Sequence, residues 1–196
     1  NKLGALNIFP GERMSVNEKQ PSVRILISED EITARMEELA LEISRDYEGK
    51  DLVLVCVLKG SMVFFADLAR KITIPLRFDY ICVSSYGDGS ESGGGHELRT
   101  DLNESVSGRH VLLVEDIVDT GLTMEYLFSL LSSRGAASLD VVALLDKPAR
   151  RKREVDIAYR GFEIPDEFVV GYGLDYRQQY RNLPYIGALE SSSPLG

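Results

Sequence analysis

At 196 residues, 44% of them hydrophobic, the chain has the length of one domain and can bury a core without metal or disulfide staples. Its formal charge of −9 argues against a general nucleic-acid binder, which presents a basic face; no apolar run has membrane-spanning length or secretory-signal organisation, so a cytoplasmic protein with no membrane partner is expected. Cys56 and Cys82 sit inside apolar runs and read as buried thiols, and His96 and His110 alone give no basis for zinc.

Residues 1–22 mix Pro10, Gly11 and Pro21 with polar side chains and have no period, so they read as an extended or poorly ordered lead-in, with Met14 a candidate native start. A short strand is expected over 23–27. Ser28 followed by Glu31 is a capping box with two more acids in the first turn, and Ile32, Met36, Leu39, Ala40 and Ile43 then share one helical face. Gly49 follows that helix, and 51–57 is an unbroken apolar run suited to a strand buried on both faces. The strand ends in Leu58-Lys59-Gly60-Ser61, helical spacing resumes over 62–72, and 75–83 is another strand. A lysine and a glycine at a strand-to-helix turn form a candidate anion site, with a plain turn and a solvated lysine as the alternative.

Residues 84–99 break the pattern, with Ser85-Tyr86-Gly87 leading to Gly93-Gly94-Gly95; an aperiodic loop of that length reads as a working lid in preference to a passive insertion. After it comes Val-Leu-Leu-Val-Glu-Asp-Ile-Val-Asp-Thr-Gly-Leu-Thr, residues 111–123. A strand meets the adjacent carboxylates of Glu115 and Asp116, and a short turn brings Asp119, Thr120, Gly121 and Thr123 to a helix start. Backbone N–H groups, a glycine and two hydroxyls suit a phosphate, and paired carboxylates suit sugar hydroxyls or a hard cation. The helix that follows is expected to face inward through Leu122, Tyr126, Leu127, Leu130 and Leu131 and to end at Gly135. Strands are expected over 138–145, closed by Asp146-Lys147-Pro148, over 155–159, and over 168–172, ending in Gly173-Leu174-Asp175. The run Arg150-Arg151-Lys152-Arg153 reads as a solvated loop or sheet edge in preference to a polyanion site. Arg177 and Arg181 lie in 177–189, and 190–196 reads as a frayed tail.

Alternating strands and helices imply an α/β fold, a mostly parallel twisted sheet with helices on both faces, formed by one domain over 23–189. Ligands of such sheets sit beyond the carboxyl ends of the strands, where Lys59, Gly60, Glu115, Asp116, Asp119, Lys147 and Asp175 all fall. A plain buried strand running into an Asp-capped helix would explain Asp119 or Thr120 but not the acid pair. Neither Gly-x-x-x-x-Gly-Lys-Ser/Thr nor Gly-x-Gly-x-x-Gly occurs, which disfavours a nucleoside triphosphatase loop or a dinucleotide fold.

Residues 111–123 resemble the phosphoribosyl-pyrophosphate signature of the type I phosphoribosyltransferases. The likeness extends to Leu58-Lys59-Gly60-Ser61, Ser85-Tyr86, Leu144-Leu-Asp-Lys147 and Glu163-Ile-Pro-Asp-Glu-Phe-Val-Val-Gly-Tyr-Gly-Leu-Asp-Tyr176, so it covers most of 23–188. This combination is similar to the hypoxanthine (hypoxanthine-guanine) branch. The resemblance implies a hood formed by terminal segments, and transfer of phosphoribose from phosphoribosyl pyrophosphate to a 6-oxopurine base, giving a nucleotide and pyrophosphate. By the same resemblance Glu115 and Asp116 hold the ribose hydroxyls, partly through Mg2+, and Asp119, Thr120, Gly121, Leu122 and Thr123 wrap the 5′-phosphate. Asp119 is the acid/base partner of the purine nitrogen, Lys147 donates to the 6-oxo group, Phe168 stacks on the purine and Val169 meets its edge. Asp175 holds a second Mg2+, Lys59 (in a turn with a non-proline cis peptide) and Arg181 meet pyrophosphate, Gly60 beside Lys59 is a substrate-binding residue, and Ser85 and Tyr86 belong to the lid. A homodimer or homotetramer is implied as well.

Two features depart from the family pattern: Leu122 stands where some eukaryotic members carry lysine, and the triple glycine is expected to loosen lid closure. The rival reading is a regulatory protein that senses phosphoribosyl pyrophosphate without catalysis. No helix-turn-helix extension is evident, and a pure sensor would not need Asp119, Lys147 and Asp175.

Overall fold

The computed structural model describes residues 22–85 and 96–190. They run β1 (Val23–Ile27), α1 (Glu29–Asp46), β2 (Leu52–Leu58), α2 (Met62–Ala69), β3 (Leu76–Ser85), β4 (His96–Thr100), β5 (His110–Val118), α3 (Leu122–Ser133), β6 (Ser138–Asp146), a 3-10 turn (Pro148–Arg150), β7 (Tyr159–Glu163), β8 (Val169–Val170) and β9 (Ile186–Leu189). The main sheet has the order β4-β3-β2-β5-β6-β7 and is parallel except for β4, which pairs antiparallel with β3. A second, antiparallel sheet β1-β9-β8 forms the hood from both ends of the described chain. From β2 the chain steps outward first to β3 and later, on the other side, to β5, β6 and β7. That reversal opens a crevice beyond the carboxyl ends of β2 and β5.

Period-2 alternation distributes the strand residues between two cores. Leu52, Leu54, Leu112 and Val114 face α1 and α2, with Ile32, Leu39, Ile43, Phe64 and Leu68. Val53, Val55, Val111 and Leu113 face α3, with Met124, Leu127 and Leu131. The capping box forms as the sequence expects: the Ser28 side chain accepts from the Glu31 amide while the Glu31 carboxylate accepts from the Ser28 amide. Among the described residues no helix is long and apolar enough to cross a membrane.

Four expectations need correction. The aperiodic loop is shorter than 84–99, because β3 runs on to Ser85 and His96–Thr100 returns beside it as β4. The strand expected over 155–159 is β7, which begins at Tyr159; Val155 and Ile157 instead pack sideways on the α3-side core. The backbone makes the difference: Gly161 passes so near β6 that a Cβ there would lie 2.3 Å from the Leu144 carbonyl oxygen, and only glycine permits that approach. Met124 replaces Leu122, Tyr126 and Leu130 among the fully buried residues of α3, those three being half-buried. Finally β9, absent from the sequence reading, closes the hood.

Candidate active site

Glu115 and Asp116 are the sixth and seventh residues of β5, which continues past them to Val118. Glu115 lines the cleft over the turn that follows, Asp116 turns toward Gly60, and both carboxyls are poorly solvated. Glu115 Oε2 is inaccessible and has no hydrogen-bond partner among the described residues. Burial pushes the Glu115 carboxyl well above the usual carboxylate range, and the neighbouring Asp116 adds to the rise. Asp116 is also raised by burial, offset by bonds from Glu115 and the Ile117 amide (2.9 Å) and by the charge of Arg181.

Asp119, Thr120 and Gly121 carry the chain from β5 into α3. Gly121 takes φ +82° and precedes the first helical residue, Leu122, whose amide donates to Thr120 Oγ1 at 3.4 Å. A small cleft of about 70 Å3 lies over this turn, lined by Glu115, Asp119, Thr120, Gly121, Thr123 and Met124 among others. Helix-start amides and two hydroxyls on one wall suit a phosphate, and the carboxylates opposite suit a polyhydroxyl or a cation. Asp119 Oδ1 is buried without a partner among the described residues, while Oδ2 lies 3.7 Å from Arg150.

The Lys59 turn locks onto this wall. Its Leu58-Lys59 peptide is cis, as the resemblance implied, and Lys59 is exposed above buried Gly60. A Cβ on Gly60 would lie 1.6 Å from Asp116 Oδ2, and a Cβ on Gly173 would lie 2.0 Å from the Gly60 carbonyl oxygen. Two glycines therefore let the Lys59 turn, the acid pair and the 171–175 loop stack in van der Waals contact. Arg181 fixes that loop by donating to the Gly173 carbonyl at 2.6 Å and pairing with Asp175 at 2.6 Å.

On the far side, Lys147 follows β6 and is 5% exposed, its amide donating to Val118 O at 3.0 Å and its Nζ to Glu167 O at 2.8 Å. Buried Val169 belongs to β8, and Phe168 leaves 55% of its surface open, edge-on to Tyr176 at 5.7 Å. The Lys147 ammonium, which also lies 3.8 Å from the Asp166 carboxylate, bonds the residue next to Phe168, and a buried ammonium with an open aromatic ring nearby suits a flat heterocycle with a polar edge.

The crevice thus gathers Glu115, Asp116, Asp119, Thr120, Gly121 and Thr123, with Gly60 against Asp116 and Lys147 one hydrogen bond from Val118. Phe168, Val169, Asp175 and Arg181 approach from the hood side. Tyr86 and the Ser85 side chain lie outside the described residues. No group of three or more His, Cys, Asp or Glu among the described residues forms a metal cage. Mg2+ nevertheless fits the donors present, because it is bound by one or two carboxylates with waters and substrate phosphates, and the partnerless Glu115 oxygen is such a donor. Asp175 fits less directly, since Arg181 and the Gln178 amide already engage its carboxylate.

Within the basic run Arg150, Lys152 and Arg153 are exposed, as a solvated loop requires, but Arg151 is not. The Arg151 side chain is 12% exposed and donates to the carbonyls of Asp119 (3.1 Å) and Val118 (3.3 Å) and to the Asp146 carboxylate, and the amides of Lys152 and Arg153 donate to Thr120 O at 2.9 and 3.0 Å. Charge alternation gave no hint of this, because four consecutive cations look solvated whichever way the backbone turns.

The family model for the phosphoribosyl transferase domain matches residues 28–177. A hypoxanthine-guanine phosphoribosyltransferase of Staphylococcus aureus is 49% identical over 166 residues, covering 85% of this chain and 93% of that protein. The bifunctional protein TilS/HprT of Listeria monocytogenes is 50% identical over 167 residues, 85% of this chain but only 26% of that longer protein. A crystal structure of a hypoxanthine phosphoribosyltransferase from Staphylococcus aureus superposes with a TM-score of 0.82 at 48% identity, covering 85% of this chain and 91% of the other.

Proposed function

Because the chain belongs to the phosphoribosyl transferase family, we propose that it transfers the phosphoribosyl group of phosphoribosyl pyrophosphate to a 6-oxopurine, hypoxanthine or guanine, giving IMP or GMP and pyrophosphate. The observation that carries this reading is that the poorly solvated acid pair and the anion cradle share the end of β5, while the buried Lys147 follows the neighbouring strand and bonds the carbonyl of Glu167, next to the exposed Phe168 ring. Residues 23–189 act as one unit, hood included.

The bond from the anomeric carbon to pyrophosphate oxygen breaks as the bond to the five-membered-ring nitrogen forms, and the proton of that nitrogen leaves to Asp119. Charge develops on the sugar as in glycoside chemistry, so positioning and charge compensation supply most of the acceleration. The turn from Asp119 to Thr123 fixes the 5′-phosphate through backbone amides and hydroxyls, with Leu122 contributing its amide and no charge. Glu115 and Asp116 accept from the ribose hydroxyls. Asp119, one oxygen of which is buried with no partner among the described residues, would stand between phosphate and base. Lys147 donates to the 6-oxo group, Phe168 stacks on the ring and Val169 meets its edge through backbone. Lys59, Gly60 and Arg181 receive pyrophosphate, and Ser85 and Tyr86 shield the reacting carbon from water. Glu115 and Asp116 would hold Mg2+, and Asp175 less directly a second, and the ions would supply charge neutralisation to the leaving pyrophosphate.

The chain acts as a homodimer or homotetramer. Support comes from an apolar patch beside the Lys59 turn, where Met62 is 57%, Phe78 62% and Tyr80 43% exposed. Incubation with Mg2+, phosphoribosyl pyrophosphate and each of hypoxanthine, guanine, xanthine and adenine tests the reading. Nucleotide from the 6-oxopurines is expected; no nucleotide from any base would leave a ligand sensor instead.

A further inference from the structure

We propose that Arg151 is a positioning residue that locks the phosphate cradle to the base-binding lysine, an inference that rests on the reading above. β5 and β6 end side by side, with Val118 paired to Asp146, and the next residues on each strand, Asp119 and Lys147, have different tasks. The Arg151 guanidinium sits across both ends. Nε donates to Asp119 O, Nη2 donates to Val118 O, and Nη2 also bonds the Asp146 carboxylate, which is 4% exposed. The other Asp146 oxygen is held by Arg160 Nε at 3.0 Å. A planar fork of donors can satisfy three acceptors on two strands at once; the ammonium of lysine is a point charge and cannot.

The same segment closes the space beneath the cradle. A Cβ at Gly121 would lie 2.3 Å from Arg153 O and 3.2 Å from Arg151 Cδ, so the 151–153 backbone presses on the turn from below. The carbonyls that Arg151 grips belong to the residue that takes the proton and the one before it. Without the grip, two carbonyls and a buried carboxylate each lose a donor, and the coupling of the Asp119 turn to Lys147 falls back on the strand pairing and the Lys147 amide bond to Val118 O. Arg151 touches neither donor nor base; it sets their spacing.

Arg151→Ala, Arg151→Lys and, as a control removing a nearby exposed charge, Lys152→Ala are compared with the wild type for kcat, KM of phosphoribosyl pyrophosphate, thermal midpoint and calorimetric Kd for IMP. Arg151→Ala is expected to lose about 10²-fold in kcat/KM through kcat and KM together, as misplacement near 1 Å does, and to recover activity in millimolar methylguanidinium. Arg151→Lys should restore little of the loss, and Lys152→Ala should match the wild type. Wild-type kcat and KM in Arg151→Ala, whatever its melting temperature, would overturn the proposal; if that variant does not fold, wild-type kinetics in Arg151→Lys would do the same. A wild type that binds IMP without turnover sinks the catalytic reading alone, and the Kd ratio between wild type and variants then decides the role of Arg151. A wild type that does neither overturns both.

Discussion

Replacing Gly60 with alanine adds one methyl group at the point where three parts of the crevice meet. Its Cβ would lie 1.6 Å from Asp116 Oδ2 and 2.7 Å from Asp116 Cγ, whereas ordinary contact begins at 3.4 Å. The deficit, roughly 2 Å, cannot be relieved by the turn backing away, because Gly173 packs against the Gly60 carbonyl from behind. Asp116 must therefore swing, and it is tethered by the Ile117 amide at 2.9 Å. Overpacking of this kind costs about 1–3 kcal/mol, which for a domain of this size lowers the melting midpoint by about 2–12 °C. The catalytic loss should be larger in proportion: a shift of about 1 Å in a positioning carboxylate costs about 10²-fold in rate, or about 2.7 kcal/mol. Steady-state nucleotide formation with varied phosphoribosyl pyrophosphate, beside calorimetric melting, separates the two effects. Gly49→Ala is the control, since Gly49 has positive φ (+74°) but no neighbour within 4 Å; it should lose stability alone. If Gly60→Ala keeps kcat/KM within about twofold of wild type, the packing of the Lys59 turn on Asp116 does not matter to catalysis.

Lys147→Ala should lower kcat/KM for hypoxanthine by roughly 10- to 150-fold, the worth of a hydrogen bond from a charged group; an equal proportional loss with adenine would remove Lys147 from recognition of the 6-oxo group. Burial raises the Glu115 and Asp116 carboxyls above their unfolded values, so their contribution to stability is full below the ordinary carboxylate range and fades as pH rises through the raised values. A cation must displace that proton, so the thermal shift given by Mg2+ should be larger near pH 8 than near pH 5.5, and equal shifts at the two would contradict the assignment of the acid pair to the metal.

Much of the fold was legible because local and tertiary signals agree along most of the chain. The Ser28-Glu31 box, the apolar run of β2 and the Gly135 helix end each have one physical reading, and each forms as expected. Misreadings fell where side-chain pattern and backbone pairing part company. Val155 and Ile157 are apolar because they cover α3, not because they join the ladder, and β4 carries charged residues because it is an outer strand. At the crevice, Glu115, Asp119 and Lys147 stood out by residue type at strand ends. Arg151 did not, since its role is fixed by long-range contacts with Val118, Asp119 and Asp146 that no local pattern encodes.

Asp119→Asn is the most direct test of the proposed reaction, because asparagine keeps the size and the cradle while removing the carboxylate proposed to take the purine proton. The measurement is single-turnover formation of IMP from hypoxanthine, together with the affinity for phosphoribosyl pyrophosphate, for the variant and the wild type. The account predicts a turnover loss of about 10²–10⁴-fold with only a modest change in affinity. Unchanged turnover, or a loss carried entirely by weaker binding, would contradict it.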